Sequence, residues 1–252
     1  MTGKIAIITG GSRGLGKNAA LKLAQQGVGV ILTYHSKEAE AAAVVAEIES
    51  LGQKAAALQL DVGDSHSFDQ FVLRVQAVLE QKWQRHHFNF LVNNAGVGAH
   101  ALIEKTSEAQ FDQLVNIHFK GVFFLTQKLL PLIADGGRIL NVSTGLTRFA
   151  LPGYAAYASM KGAIEILTKY MAKELGPRGI AVNAIAPGAI ETDFSHGAVR
   201  DNPELNKFVA SQTALGRVGL PDDIGGVIAS LLNADNGWIN AQRIEASGGM
   251  FL

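Results

Sequence analysis

The chain has 252 residues, of which 48% are apolar and 17% charged, with 28 glycines and no cysteine. Average usage is about 45–50% apolar and about 25% charged, so a disordered segment or a collagen-like repeat is excluded and a large buried core is expected. Twenty-two basic side chains balance twenty-two acidic ones, so no whole-chain field draws the protein to nucleic acid or an anionic membrane. The missing cysteine excludes disulfides, a thiol nucleophile and thiolate metal sites, and it suits a reducing, cytoplasmic setting. The longest apolar run is Ala41 to Ala46, six residues, where a membrane span needs roughly 18. The low charge fraction also points to a surface partly covered by other copies of the chain.

Short apolar runs alternate with longer stretches of helical period, the pattern of strand, crossover helix and parallel strand. In chain order the expected strands are 4–8, 28–33, 54–59, 88–92, 138–142, 180–185 and 241–245. The expected helices are 14–26, 37–51, 65–81, 107–133, 155–175 and 221–232, with Ser65 and Ser107 as starting caps and Pro221-Asp222-Asp223 opening the last. Seven strands and these helices make one α/β domain over 1–252: a doubly wound, Rossmann-type parallel sheet with helices on both faces. Residues 186–215, broken by Pro187, Gly188, Gly197 and Pro203, hold no firm period and read as a flap over a site.

Strand 4–8 runs into Thr9-Gly10-Gly11-Ser12-Arg13-Gly14-Leu15-Gly16 and then a helix. A strand, a glycine turn and a helix start leave free backbone N–H groups and the positive end of the helix dipole facing one point, a site for a diphosphate. Gly14-x-Gly16-x-x-Ala19 resembles the dinucleotide fingerprint, and Gly11-x-x-x-x-Gly16-Lys17 a nucleotide triphosphate loop. The second pattern fails at Asn18, where Ser or Thr would ligate magnesium.

TGGSRGLG at 9–16, NNAG at 93–96, Asn116, Ser143, Tyr157-x-x-x-Lys161 and Pro187-Gly188 together resemble the short-chain dehydrogenase/reductase family in order and spacing, over the whole chain. The resemblance implies a seven-stranded Rossmann-type fold, a nicotinamide cofactor, hydride transfer between that cofactor and a ketone or secondary alcohol, and a homotetramer or dimer. Tyr157 and Lys161 lie four apart, on one helix face. Ketone reduction needs a proton donor and alcohol oxidation a base, so one group must serve as both near neutral pH. Bringing a phenol from about 10 to about 7 takes about 4 kcal/mol, which an ammonium about 4 Å away supplies at an effective dielectric of about 20. By the same resemblance Lys161 binds the nicotinamide ribose and Asn116 bends its helix and keeps a water in a proton relay. Ser143, at the end of strand 138–142, is placed to hold the substrate oxygen, with Thr144 as a competitor for that role.

The cofactor's site is expected along Gly10, Ser12, Arg13, Gly14, Leu15 and Gly16, the end of the second strand, Asp61-Val62, and Asn94-Ala95-Gly96. Scaffolding and cofactor contact are equally open for NNAG, and Asp61 serves equally as a helix cap. Pro187, Gly188, Ile190 and Thr192 resemble the segment that receives the nicotinamide carboxamide. Where users of NAD place an acid, this chain has Tyr34. With no carboxylate to repel a 2′-phosphate, and with Arg13, His35, Ser36 and Lys37 to bind it, NADP(H) is preferred over NAD(H). No metal site is expected, since His86 and His87 are adjacent and diverge and no H-E-x-x-H pattern exists. Two other readings compete: a nucleotide sensor without turnover, and a triphosphatase using Gly11 to Lys17. Phe194, His196, Phe208 and Leu215 point to a largely apolar substrate pocket, with the substrate itself open among sugars, steroids, thioesters and small ketones.

Overall fold

The structure, a computed structural model, describes residues 3–252. Seven strands form one parallel sheet: β1 Ile5–Ile8, β2 Gly29–Tyr34, β3 Ala55–Gln59, β4 Phe88–Asn93, β5 Ile133–Val142, β6 Ala181–Pro187 and β7 Arg243–Ala246. Their order is β3-β2-β1-β4-β5-β6-β7. The chain winds outward from β1 in one direction, then crosses to β4 and winds outward in the other, so the loops after β1 and β4 part at the middle of the sheet. In such sheets that parting is the crevice where ligands bind.

Both faces of the sheet are covered, which is why the inner strands read as unbroken apolar runs rather than alternating ones. Along β1, Ala6 and Ile8 point to one side and Ile5 and Ile7 to the other, and all four are fully buried. The first side packs on α1 (Gly14–Gln25), α2 (Glu38–Ser50) and α9 (Pro221–Leu231) through Leu23, Val44, Ile48, Ile224 and Ile228. The second packs on α3 (Phe68–Val78), α5 (Gly121–Leu129) and α6 (Ala155–Leu175), with Phe68, Phe71, Val75, Leu125 and Ala172 in its core, and α4 (Glu108–Val115) lies against α6.

Several boundaries differ from the sequence reading, each for a local reason. The helix expected over 107–133 stops at Leu129, because Pro131 sits in a single tight turn, Leu130–Leu132, after which β5 begins at Ile133. Its middle is a π-turn, Asn116–Lys120, joining α4 to α5. The stretch expected as 65–81 begins with a 3₁₀ turn that Asp64, not Ser65, caps through a 3.0 Å bond from the His66 N–H. Ser107 does cap α4, accepting from Gln110 N at 3.2 Å. The stretch 186–215 contains a four-residue α7 (Ala198–Asp201) and a regular α8 (Pro203–Ser211), started by Asn202, whose Oδ1 accepts from two N–H groups.

Candidate active site

The glycine loop is held in place by its neighbours. Gly10 N donates to Thr33 Oγ1 at 3.1 Å and Gly11 N to the Thr33 carbonyl at 2.8 Å. Asn94 Nδ2 donates to the carbonyls of Thr9 and Gly10 at 2.9 and 3.1 Å, while Thr9 Oγ1 accepts from the N–H groups of Asn94 and Ala95. The Asn94 amide is thus committed to fastening the β4 loop to the β1 loop. Asn93 is a fastener too: its Nδ2 donates to Asn141 Oδ1 at 2.8 Å and Thr126 Oγ1 at 3.1 Å. Gly16 is needed for close approach, since a Cβ there would fall 2.2 Å from the Gly10 carbonyl oxygen.

Helix α1 starts with no side-chain cap and no acidic residue in its first turn. Its leading N–H groups are therefore free of side-chain partners and its dipole is uncompensated, which suits the diphosphate of a dinucleotide. Across the crevice the segment after β6 closes the site. Gly188 N donates to the Ala246 carbonyl at 3.1 Å, Ile190 bridges to Gly219, and Thr192 Cβ lies 3.6 Å from where a Cβ on Gly14 would stand. The stretch Pro187–Thr192 and the glycine loop therefore line one mouth, with Ser12 and Leu15 half-buried inside it. The residues of the triphosphate-loop pattern are engaged elsewhere: Lys17 pairs with Glu47 at 2.9 Å, and Asn18 Nδ2 donates to Asp222 at 2.6 Å.

At the end of β2, Tyr34 is half-buried and His35, Ser36 and Lys37 are exposed, as is Arg13 on the adjoining loop. Burial, then the carboxylate of Glu38, raise the Tyr34 phenol above its ordinary value. Asp61 holds its own turn, its Oδ1 accepting from Gly63 N at 2.8 Å, with His35 Nε2 3.7 Å from its other oxygen. Val62 is packed against the core.

Tyr157 and Lys161 lie on the buried face of α6, 8% and 5% exposed. The Lys161 amine stands 5.7 Å from the centre of the Tyr157 ring and donates to the Val142 carbonyl at 2.7 Å. Burial lowers the lysine to about 8. Burial also pushes the Tyr157 phenol up, a hydrogen bond with Thr144 opposing it and Tyr154 adding to it. Against the single ammonium of the sequence arithmetic, burial acts the other way and is the largest influence on the phenol. Tyr154 itself packs edge-on against His100 at 5.0 Å.

Ser143 does not face this phenol. Its Oγ donates to Glu165 Oε1 at 2.6 Å, and the hydroxyl that acts on the Tyr157 phenol is that of Thr144. The reason is the alternation of an extended chain: Asn141 and Ser143, two apart, point the same way and both meet α6, Asn141 Nδ2 donating to Thr168 Oγ1 at 2.9 Å. That period was available in the sequence, but Glu165 as the partner was not. Asn116 opens the π-turn, its carbonyl accepting from Gly121 N.

His118, two residues further on, is fully buried, its ring edge-on to Tyr157 at 5.2 Å and its Nε2 2.8 Å from the Val97 carbonyl oxygen. Burial, then the nearby Lys161, lower it to about 3. It also accounts for Gly96, where a Cβ would meet the His118 ring at 2.7 Å. No sequence signal set this histidine apart from the other six.

From the flap, Phe194 reaches Tyr157, ring to ring at 6.1 Å, while Phe208 and Leu215 are 50% and 70% exposed and do not converge with it. An apolar groove of about 590 Å³ lined by Leu102, Ile103, Leu146, Leu151, Pro152 and Tyr154 runs beside the site. Among the described residues, no three His, Asp or Glu side chains converge as a metal site, and no helix is long and apolar enough to cross a membrane.

Residues 10–251 match a protein family described as Enoyl-(Acyl carrier protein) reductase. The chain is 36% identical, over 99% of its length and 98% of the relative's, to a 3-oxoacyl-acyl-carrier-protein reductase of Staphylococcus aureus. It belongs to the short-chain dehydrogenase/reductase family. Among solved members, LugOII, described as a promiscuous reductase that catalyses keto-reduction at C1 during lugdunomycin biosynthesis, superposes with a TM-score of 0.95 at 38% identity, covering 100% of this chain and 99% of that one. The angucycline C-6 ketoreductase LanV, solved with bound NADP, superposes at 0.94 and 35% identity over 99% and 96% of the two chains. This family member is accordingly an oxidoreductase, and NADP occupies a solved relative.

Proposed function

We propose that this short-chain dehydrogenase/reductase reduces a ketone to a secondary alcohol with NADPH, Tyr157 supplying the proton. The observation that carries the reading is the buried Tyr157, with the Thr144 hydroxyl beside its phenol and the Lys161 amine over its ring, next to an uncapped helix start that suits a diphosphate. When bound, the reduced nicotinamide supplies hydride. The residues of the chain do the rest. Thr144 and Tyr157 receive the carbonyl oxygen from two directions, the phenol gives up its proton as negative charge develops there, and Lys161 stabilises the phenolate that remains.

The choice of NADP rests on Tyr34 in place of an acid and on the exposed Arg13, His35, Ser36 and Lys37 at one edge of the site; relatives that bind NADP support it. A homo-oligomer, tetramer or else dimer, is part of the same reading, supported by the exposed Ile166, Tyr170 and Trp238. The test of the reading is Tyr157→Phe assayed with NADPH and NADH against a ketone panel. Turnover falls by about 10²-fold or more while NADPH still binds; near-full turnover discards Tyr157 as the acid. A wild-type protein that binds NADPH but reduces no ketone is the non-catalytic sensor instead.

A further inference from the structure

Behind Thr144 lies an ionic cluster that the reaction as described does not use. Glu165, four residues after Lys161 on α6, accepts at Oε1 from Ser143 Oγ (2.6 Å), Thr147 Oγ1 (2.7 Å) and Arg243 Nε (2.7 Å). Arg243, the first residue of β7, also donates from Nη1 to Glu245 Oε2 at 2.9 Å and from Nη2 to the backbone carbonyl of Thr144 at 3.1 Å. Thr147 Oγ1, its one proton shared between Glu165 and that same carbonyl, lies 3.0 Å from the carbonyl oxygen. Glu245 is shared with Arg148 in a two-pronged pair at 2.8 and 2.9 Å, and Arg148 reaches on to the carbonyl of Phe251 at 2.8 Å. The tail so held is bonded in turn to the end of the flap, Phe251 N to Gln212 O at 2.9 Å and Ala214 N to Gly249 O at 3.2 Å.

Arg243, Glu165 and Glu245 are all under a quarter exposed. Charges so placed lose hydration, and an apolar cluster of the same shape is often at least as stable. What this cluster does that an apolar one does not is grip the peptide of Thr144 from behind while Glu165 occupies the Ser143 hydroxyl beside it. We propose that Arg243 is a positioning residue for the reaction, holding the Thr144 peptide, and with it the hydroxyl beside Tyr157, through its bond to the Thr144 carbonyl, with Glu165 as its anchor on the catalytic helix. The proposal rests on the ketone-reductase reading for its kinetic consequence but not for its structural one. A misplacement of about 1 Å in such a group costs about 10²-fold in rate.

The test uses the full-length protein carrying ¹³C-methyl threonine, as wild type, Arg243→Met, Arg243→Lys and Glu165→Gln. In Arg243→Met and Glu165→Gln the Thr144 methyl signal shifts and broadens while those of Thr9 and Thr33, in the glycine loop and β2, stay in place; Arg243→Lys recovers part of the change. With 9,10-phenanthrenequinone as the probe ketone, kcat falls about 30-fold in Arg243→Met and the KM for NADPH stays within about twofold. An unmoved Thr144 signal in Arg243→Met overturns the proposal. So does displacement of Thr9 and Thr33 along with Thr144 in both Arg243→Met and Glu165→Gln, which makes the cluster a general support. A wild type that reduces neither the quinone nor any other ketone removes the reductase reading alone, since the methyl signals still decide the positioning.

Discussion

The hydroxyl of Ser143 is tied to Glu165 at 2.6 Å, and that bond turns it from Tyr157 and leaves the phenol to Thr144 beside it. The two neighbours are chemically alike, so substitution separates their roles cleanly. Thr144→Val, which keeps the shape and removes the hydroxyl, is expected to lower kcat for ketone reduction by about 10²-fold, the usual cost of one donor to a developing oxyanion. Thr144→Ser retains most activity, and Ser143→Ala costs less than about tenfold because it touches only the support. Steady-state kinetics on the three variants checks this; a larger loss in Ser143→Ala than in Thr144→Val reverses the assignment.

His118 is expected to shape the acid stability of the protein. Its folded pKa of about 3 lies below the ordinary 6.5, so between those values the unfolded chain holds a proton that the folded chain does not. Stability from this group is full above about 6.5 and falls as the pH drops toward 3, by about 1.4 kcal/mol per pH unit. Urea unfolding at pH 7 and pH 5 should show a loss of about 2 kcal/mol in the wild type that is absent in His118→Asn, whatever that variant's starting stability. Equal losses in both proteins would show that another group titrates.

The fold was readable because its signals are periodic. Buried parallel strands such as Ile5–Ile8 are short apolar runs, crossover helices carry stripes, and all seven strands were placed in the right order along the chain. The ends were less readable where one residue decides: Pro131 cut a helix short, and Asp64 rather than Ser65 took a cap. At the site, the glycine loop, Tyr157 and Lys161 form local patterns and stood out. Thr144 against Ser143, the Glu165–Arg243 cluster and His118 did not, because each is settled by a contact between residues far apart in the chain: 22 for Ser143 to Glu165, 78 for Arg243 to Glu165 and 21 for His118 to Val97.

The proposed choice of NADP(H) turns on the edge of the site formed by Arg13 and Lys37. Neither belongs to any ion pair among the described residues, so both are at liberty to meet a 2′-phosphate, each for about 1 kcal/mol given their exposure. The double variant Arg13→Ala, Lys37→Ala should raise the KM for NADPH by about tenfold or more and leave that for NADH within about twofold. Parallel titrations with the two cofactors measure it. An equal loss for both would place these side chains on the shared diphosphate rather than on the phosphate that distinguishes them.

Lys161 gives two pH dependences of opposite sign, and the contrast identifies it. Burial lowers its pKa from 10.5 to about 8, so its charge is present below about 8 and lost above. If the charge supports the phenolate left after proton transfer, the rate of ketone reduction is level toward neutral pH and falls about tenfold per unit once the pH passes about 8. Over the same range the unfolded chain still holds the proton, with an ordinary pKa of 10.5, and so binds more protons than the folded one. Stability contributed by this group therefore rises between about 8 and 10.5, by up to about 3 kcal/mol. Alkaline loss of activity accompanied by a rising unfolding midpoint in urea is the expected pair of results, read on the same samples. A rate that stays level to pH 10 would free Lys161 from any part in proton transfer, and a midpoint that falls in step with the rate would assign the loss to unfolding instead.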